Sequence, residues 1–234
     1  MIIVTDTAIL AGVKPLLKLE ELHTADGSCL ELWERDGALS LLRDGAPIAA
    51  TYAYGSEQSL AELATAPITR ASQPCIMLAG LGLGYGLAQA QASLPREKAR
   101  FIVAEPVPEI VEWNRRHSPN AAALEDKRVT VEPAEAAELC RKRTGSLHAV
   151  IMRHTHAPCE MSLGDAQAYF NALKGGSLLA ISLARPDRRL EGLLKKAGFE
   201  VSSSPVAASA KGKQLRMHTV LLARRGRFVP FAER

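Results

Sequence analysis

The stretch CIMLAGLGLGYG, residues 75–86, decides the fold. Its unbroken apolar run is typical of a buried strand in a parallel sheet. Four glycines then alternate with larger residues: Gly80, Gly82, Gly84 and Gly86. Glycines placed directly after a strand let the backbone turn sharply and approach a ligand closely. The stretch therefore predicts a strand, a ligand-binding turn and a helix in succession.

The spacing of the glycines distinguishes this turn from two common nucleotide sites. The dinucleotide fingerprint GxGxxG, counted from Gly80, requires a glycine at position 85, where the chain has Tyr85. The turn reads GxGxG instead, and it lacks the GK[ST] ending of a phosphate-binding P-loop. A nicotinamide or flavin site and a P-loop are both disfavoured.

Glu105 is the second candidate, because it closes the next apolar strand, ARFIVAE. An acidic residue about twenty positions after the glycines can accept hydrogen bonds from the ribose hydroxyls of a bound nucleoside. The alternative is that Glu105 only caps the turn before Pro106. Because the glycine turn and Glu105 both occur where this kind of fold binds its ligand, the ribose-binding role is favoured over the capping role.

Strand and helix patterns alternate after residue 71. Apolar runs predict seven strands, in CIMLAG, ARFIVAE, RVTVE, HAVIMR, SLLAISLA, GFEV and MHTVLLARR. Helices are expected at about 85–94, in PEIVEWNRR, at 134–143, at 165–173 with an end at Lys174-Gly175-Gly176, and in RRLEGLLKKAG. The Ala/Ser-rich segment 202–213 is expected to be a loop. The alternation predicts an α/β domain over 71–234, with a Rossmann-like, doubly wound and mostly parallel sheet.

Residues 1–70 have a different pattern. Short apolar runs are separated by Arg-Asp-Gly at 35–37 and again at 43–45. Asp-Gly between such runs predicts tight hairpins, so a small antiparallel β unit is expected at about 19–53. Ser56 is the predicted N-cap of a short helix that follows, EQSLAELA.

Composition excludes several classes of protein. The formal charge is +4, from 29 basic and 25 acidic residues among 234, which is too small and too scattered an excess to predict nucleic acid as a partner. The four cysteines form no CxxC pair, which argues against a zinc ribbon and fits a reducing compartment. No apolar run approaches the ~20 residues that cross a bilayer, and the N-terminus is unlike a signal peptide. A cytoplasmic location, without a membrane partner, is expected.

Four segments together resemble a known family: IMLAGLGLGYGLAQA, FIVAEPVPEIVEWNR, LEDKRVTVE and LKGGSLLAISLARPDRRLEGLLKKAGFEV. They resemble the class I S-adenosylmethionine-dependent methyltransferase fold, and within it the spermidine synthase-like branch. The phrase LEDKRV before the third strand and the position of the N-terminal β unit favour that branch. The resemblance extends from about Leu30 to Arg224.

The resemblance implies a cofactor and the residues that bind it. The cofactor would be S-adenosylmethionine or decarboxylated S-adenosylmethionine, a small molecule would be the substrate, and a homodimer would be the assembly. The implied cofactor residues are Gly80, Gly82 and Gly84 at the methionine-derived portion, Glu105 at the ribose, and Glu135 at the adenine, with Glu132 as a second candidate for the adenine. Tyr52, Tyr54 and Glu57 would lie at the lip of the pocket, unless the tyrosines only pack at a domain junction.

The end of the fourth strand, VIMRHTHAP, departs from the family. Polyamine synthases have aspartates there, whereas this chain has Arg153, His154, Thr155 and His156. An arginine repels a cationic amine, so ordinary polyamine synthesis is disfavoured. His154 or His156 would be the general base, since neutral imidazole is available near pH 7. Arg153 would favour a substrate with a carboxylate or phosphate.

Other interpretations of the same loop stay open. His154, His156 and Cys159 would be metal ligands, although no fourth ligand is visible and no metal is assigned. The loop would otherwise be a solvated segment without catalytic residues. The sequence thus predicts an S-adenosylmethionine-dependent transferase. The alternatives are a catalytically silent binding protein and a true aminopropyltransferase that uses the decarboxylated cofactor.

Overall fold

The computed structural model describes residues 14–154, 160–209 and 217–226. These residues form two sheets. The first is antiparallel, with strands in chain order: β1 (Leu17–His23), β2 (Cys29–Arg35), β3 (Ala38–Arg43) and β4 (Ala46–Ala50). Both Asp-Gly pairs are hairpin turns, with positive φ at Asp36, Gly37, Asp44 and Gly45. Positive φ at both central residues is what a tight hairpin turn requires, so the predicted β unit is confirmed.

The second sheet has the seven predicted strands: β5 (Cys75–Ala79), β6 (Arg100–Ala104), β7 (Val129–Glu132), β8 (Leu147–His154), β9 (Leu173–Leu183), β10 (Phe199–Ala207) and β11 (Met217–Arg225). Their order is β10-β11-β9-β8-β5-β6-β7. The five strands from β9 to β7 are parallel, while β11 is antiparallel to both of its neighbours. The predicted Rossmann-like, mostly parallel fold is confirmed.

Helices connect these strands and cover the second sheet: α1 (Gly55–Thr65), α2 (Tyr85–Ser93), α3 (Pro108–His117), α4 (Ala121–Leu124), α5 (Ala136–Arg141), α6 (Leu163–Ala172) and α7 (Arg188–Lys196). A single 3-10 turn, Ala66–Ile68, follows α1. None of the helices in the described ranges is long and apolar enough to cross a membrane.

The core has two apolar layers because successive side chains of each strand point to opposite faces of the sheet. On β5, Ile76 and Leu78 belong to one layer and Met77 to the other. The first layer also contains Leu30 and Leu41 of the N-terminal sheet, so one face of that sheet is buried against the larger one. Full burial of one such side chain contributes about 1.5–3 kcal/mol to the free energy of unfolding.

The start of α1 corrects the prediction for Ser56. The helix begins at Gly55, and Tyr54 is its N-cap residue. Ser56 lies inside the first turn, where its Oγ is 2.9 Å from Nδ1 of His218 on β11, and both residues are buried. A tertiary hydrogen bond therefore replaces the expected cap. Because α1 contacts α2, β8 and β9, it packs on the larger sheet, and the domain boundary at residue 70 stays a prediction.

Two further local expectations are wrong. The loop expected at 202–213 begins as strand, because β10 continues to Ala207 and pairs with β11 along its whole length. Pairing with a neighbouring strand overrides the weak β propensity of its serines. Likewise, β9 begins at Leu173, so the glycines expected to end a helix lie in a strand. They lie where the register between β8 and β9 shifts, and Gly176 has φ +85°.

Candidate functional site

The candidate site lies at the carboxyl ends of β5 and β8, which are adjacent parallel strands. From β5 the chain continues to β6 on one side, and β8 lies on the other, so this is the switch point where doubly wound sheets bind ligands. A cavity of about 360 Å³ opens there, within the size range of small-molecule pockets. Six of the predicted residues line it: Gly80, Gly82, Glu105, Glu135, Arg153 and His154.

Of the other two predicted residues, Gly84 does not line the cavity, and His156 lies outside the described residues. Gly84 is the N-cap residue of α2, with φ +79°. Cys159 of the metal interpretation also lies outside the described residues. Of the proposed His/His/Cys set, only His154 has a described position.

The glycine turn needs its glycines for different reasons. Gly80, Gly82 and Gly84 all have positive φ, a conformation that costs other residues about 1–2 kcal/mol. A Cβ on Gly82 would lie 3.0 Å from Nη2 of Arg153, and a Cβ on Gly84 would lie 3.1 Å from Cβ of Asn120. A Cβ on Gly80 would meet no atom within 4 Å. Gly80 thus leaves open space beside the cavity. Gly82 and Gly84 leave room for the side chains of Arg153 and Asn120, respectively.

Three side chains after β6 anchor this turn, and none of them is among the residues predicted from the sequence. Nδ2 of Asn114 donates to the carbonyl oxygen of Gly82 at 2.8 Å. Ser118 Oγ and Asn120 Nδ2 both donate to the carbonyl oxygen of Leu83, at 2.8 and 2.9 Å. A sequence signal existed for Asn114, because it is a polar residue on the buried stripe of α3.

Glu105 lies directly after β6 with its carboxylate buried beside the turn. Oε2 accepts the Leu81 N–H at 2.9 Å, and Oε1 accepts the Val107 N–H at 3.2 Å. Burial raises the pKa of Glu105, and these two N–H groups oppose that rise. The bond to Val107 is the turn-capping role considered above. Each oxygen keeps a second lone-pair direction, so the carboxylate can still accept a ligand hydroxyl.

The two acidic candidates after β7 have different positions. Glu135 precedes α5 as its N-cap residue and lines the cavity. Glu132 ends β7, and its Oε1 pairs with Nη2 of Arg143 at 2.5 Å. Of the two, Glu135 is the one placed to contact a bound molecule.

Arg153 is engaged with the protein rather than pointing freely into the cavity. Its Nε lies 3.2 Å from Oε1 of Glu57, and its Nη1 donates to the carbonyl oxygen of Ile48. The Glu57 side chain is 7% exposed and that of Arg153 is 20% exposed. Burial raises the pKa of Glu57, and the guanidinium of Arg153 opposes that rise. Arg153 therefore joins the end of β8 to the N-terminal sheet and to α1.

His154 is the last residue of β8 and lines the cavity. Its Nε2 is buried and has no hydrogen-bond partner among the described residues. A buried polar atom without a partner costs about 1–3 kcal/mol, so a ligand or water at this position would relieve that cost.

Of the two tyrosines before α1, Tyr54 is packed and Tyr52 is exposed. Tyr54 stacks on Tyr85, the first residue of α2, with ring centroids 4.2 Å apart and planes 4° from parallel. Tyr52 is 59% exposed. Neither lines the cavity, whereas Glu57 and Arg43 of β3 do. Arg43 was not among the predicted residues.

Comparison with known proteins gives matches by structure but not by sequence. No protein-family model matches the chain, and no curated protein matches it. The spermidine synthase of Thermotoga maritima is similar, with a TM-score of 0.72 and 16% identity over 91% of this chain and 74% of that one. A spermidine synthase in complex with the transition-state analogue AdoDATO also has a TM-score of 0.72 and 16% identity, over 89% of this chain and 72% of that one.

A methyltransferase gives a weaker match. The precorrin-6y C5,15-methyltransferase of Geobacter metallireducens has a TM-score of 0.52 and 16% identity, over 73% of this chain and 86% of that one. The likeness to the spermidine synthases thus extends further along the chain. At these identities the comparisons establish the fold: the chain has the class I S-adenosylmethionine-dependent methyltransferase fold in the form seen in spermidine synthases.

Proposed function

We propose that the chain binds S-adenosylmethionine, or its decarboxylated form, in the cavity and transfers a group from it to a small molecule. The observation that carries this proposal is the buried Glu105 carboxylate, which the N–H groups of Leu81 and Val107 hold between the glycine turn and the end of β6. A carboxylate at that position suits a pair of ribose hydroxyls.

The remaining cavity residues fit the other parts of such a ligand. Glu135 lines the same cavity as Glu105 and would accept a hydrogen bond from the adenine amino group. Open space at Gly80 leaves room for the methionine-derived portion. Arg153, above Gly82, would face the amino-acid end of the ligand.

The sulfonium of the bound cofactor would supply an activated carbon that a nucleophile can displace. The protein's contribution would be to hold the nucleophile in line and to exclude water. His154 would accept a proton from a nucleophile that carries one, at its Nε2, which has no hydrogen-bond partner among the described residues. Its position at the end of β8 is where the resemblance expects the catalytic group.

The guanidinium of Arg153, which is also paired with Glu57, would favour S-adenosylmethionine over the decarboxylated form. Arg153 and His154 stand where polyamine synthases are expected to have carboxylates, and a guanidinium repels a cationic amine. The same guanidinium would attract the carboxylate that only the parent cofactor has. Aminopropyl transfer to a polyamine is therefore the less favoured chemistry.

Calorimetric titration with S-adenosylmethionine, decarboxylated S-adenosylmethionine and methylthioadenosine tests the proposal. We expect micromolar binding of S-adenosylmethionine, weaker binding of the decarboxylated form, and a loss of at least tenfold in Glu105→Gln. Glu97→Gln is the matched control, because Glu97 is an exposed glutamate away from the cavity. Binding of none of the three compounds would refute the proposal, and preference for the decarboxylated form would restore aminopropyl transfer.

One observation favours a second candidate, a binding protein without catalysis: Arg153 is paired with Glu57 and Ile48 inside the protein. The two candidates differ in turnover. In a metabolite extract, a methyltransferase would convert S-adenosylmethionine to S-adenosylhomocysteine, and an aminopropyltransferase would convert the decarboxylated form to methylthioadenosine. His154→Gln would lower either yield at least tenfold. A binding protein would produce none. The homodimer and the cytoplasmic location stay predictions.

A further inference from the structure

The outward face of the β1–β2 hairpin brings metal-binding side chains together, and none of them lines the cavity. His23 of β1 lies directly opposite Cys29 of β2, and Glu21 lies opposite Glu31. Directly opposed residues in an antiparallel pair point to the same side of the sheet. The other side carries the buried Leu30 and Leu32. The four polar side chains therefore share the face that is turned away from the core.

Three of these side chains place possible metal-ligand atoms close together. A carboxylate oxygen of Glu21, a ring nitrogen of His23 and Sγ of Cys29 all lie within 4.8 Å of one another. Oε1 of Glu21 is 3.2 Å from Nε2 of His23. Tetrahedral zinc with bonds of about 2.0–2.3 Å separates its ligand atoms by roughly 3.3–3.8 Å. Small side-chain rotations would bring the three atoms to those separations.

Lys18 orients the carboxylate of Glu21 for this role. Its Nζ pairs with Oε2 of Glu21 and, at 2.5 Å, with Oε1 of Glu31. Glu21 is thus held through one oxygen, which leaves the other facing His23. Hydrogen-bonded partners of this kind commonly orient the ligands of a metal.

The turn between His23 and Cys29 is held by its own hydrogen bonds. Ser28 O accepts from both the N–H and Oγ1 of Thr24, each at 2.9 Å. Oδ1 of Asp26 accepts the Ser28 N–H at 3.0 Å, and Gly27 has φ +86°. A turn ordered in this way lowers the entropic cost of bringing the ligands together.

We propose that the end of this hairpin binds a zinc ion through Glu21, His23 and Cys29. A thiolate, an imidazole and a carboxylate form a donor set that zinc accepts, and water would complete the four-coordinate shell. Glu21 and His23 are exposed and Cys29 is half-buried, so the ion reaches its ligands directly from solvent. A zinc ion bound there would link the edge strand β1 to its neighbour β2. This site is independent of the proposed transferase function.

Titration of the full metal-free chain with Co²⁺, followed by displacement with Zn²⁺, tests the proposal. Co²⁺ should give a thiolate-to-cobalt charge-transfer band and visible bands of tetrahedral intensity at one ion per chain. Zn²⁺ should abolish both. Zn²⁺ should also raise the melting temperature of the wild-type protein, because a ligand that binds only the folded state stabilises it.

Variants identify the site. Cys29→Ser should remove the charge-transfer band, and His23→Gln and Glu21→Gln should each weaken Zn²⁺ binding at least tenfold. Cys75→Ser is the matched control, since Cys75 is another half-buried cysteine and lies at the start of β5. Absence of the band in the wild-type protein would overturn the proposal. So would a band that persists in Cys29→Ser, or one that disappears in Cys159→Ser instead.

Discussion

Arg153→Met is expected to destabilise the protein by leaving the Glu57 carboxylate buried without its partner. Breaking a fully buried ion pair from one side costs about 3–5 kcal/mol. The Arg153 side chain is 20% exposed, which lowers this figure, and its lost bond to Ile48 adds back about 1 kcal/mol. We expect a loss of about 2–4 kcal/mol in the free energy of unfolding at neutral pH.

Two further variants separate the ion pair from simple loss of packing. Glu57→Gln should cost less, about 1–2 kcal/mol, because Arg153 keeps partial access to water and its bond to Ile48. The double variant Arg153→Met/Glu57→Gln should be more stable than the sum of the single changes predicts. A coupling energy of about 1–3 kcal/mol is expected for residues in direct contact.

The dependence on pH is the sharpest part of this prediction. Without the guanidinium, the pKa of Glu57, already raised by burial from its ordinary value of 4.5, rises further. A carboxyl whose pKa is higher in the folded state penalises the fold above that pKa and not below the unfolded value. The loss in free energy of unfolding caused by Arg153→Met should therefore be largest near about pH 8 and become smaller toward about pH 5. In the double variant, which has no carboxylate at position 57, the loss should not change in this way.

Urea unfolding followed by the fluorescence of Trp33 and Trp113 measures these free energies. A deficit below about 0.5 kcal/mol for Arg153→Met, or one that does not change between those pH values, would refute the buried ion pair.

Three other predictions concern the turn and the core. Gly84→Ala should lower the free energy of unfolding by about 2–4 kcal/mol, because the positive φ is strained and the new Cβ contacts Asn120. Gly80→Ala should lower it by about 1–2 kcal/mol, since only the strain applies there. Equal losses in urea unfolding would contradict this assignment. Asn114→Ala should cost about 1–3 kcal/mol and weaken S-adenosylmethionine binding, because the Gly82 carbonyl loses its donor; unchanged stability and affinity would argue against that anchor. Burial raises the pKa of Cys140 to about 12. Iodoacetamide at neutral pH should therefore modify Cys140 in urea but not in the folded chain. Peptide mass mapping would measure the modification in both states. Equal modification in both states would count against a buried thiol.

Local patterns predicted the fold and several of the residues that line the cavity, because the determinants are local. An apolar run followed by alternating glycines specifies a strand and a tight turn within twelve residues. Glu105 follows a second run of the same kind, and parallel strands bring their carboxyl ends to one edge of the sheet. No comparable local signal joins Arg153 to Glu57, since their contact depends on how α1 packs over the sheet.

The wrong local predictions have the same cause. Ser56 satisfies the rule for an N-cap, but its hydroxyl pairs with His218 from the far end of the chain. Ser202, Ser203 and Ser204 suit a loop, but pairing with β11 holds them in a strand. In both cases a long-range partner, which a single sequence does not reveal, decided the outcome.

The contact between Glu105 and a ribose is the central claim, and a cycle of two proteins and two ligands tests it most directly. Calorimetry would compare methylthioadenosine with its 2′-deoxy counterpart in the wild-type protein and in Glu105→Gln. A hydrogen bond to a carboxylate contributes about 1.5–3 kcal/mol, so the wild-type protein should bind the deoxy compound about 10–150-fold more weakly. Glu105→Gln should show a smaller preference, at most about tenfold, because a hydrogen bond to a neutral amide oxygen contributes only about 0.5–1.5 kcal/mol. If the wild-type protein bound the two equally, or if the variant kept the full preference, Glu105 would not hold the ribose.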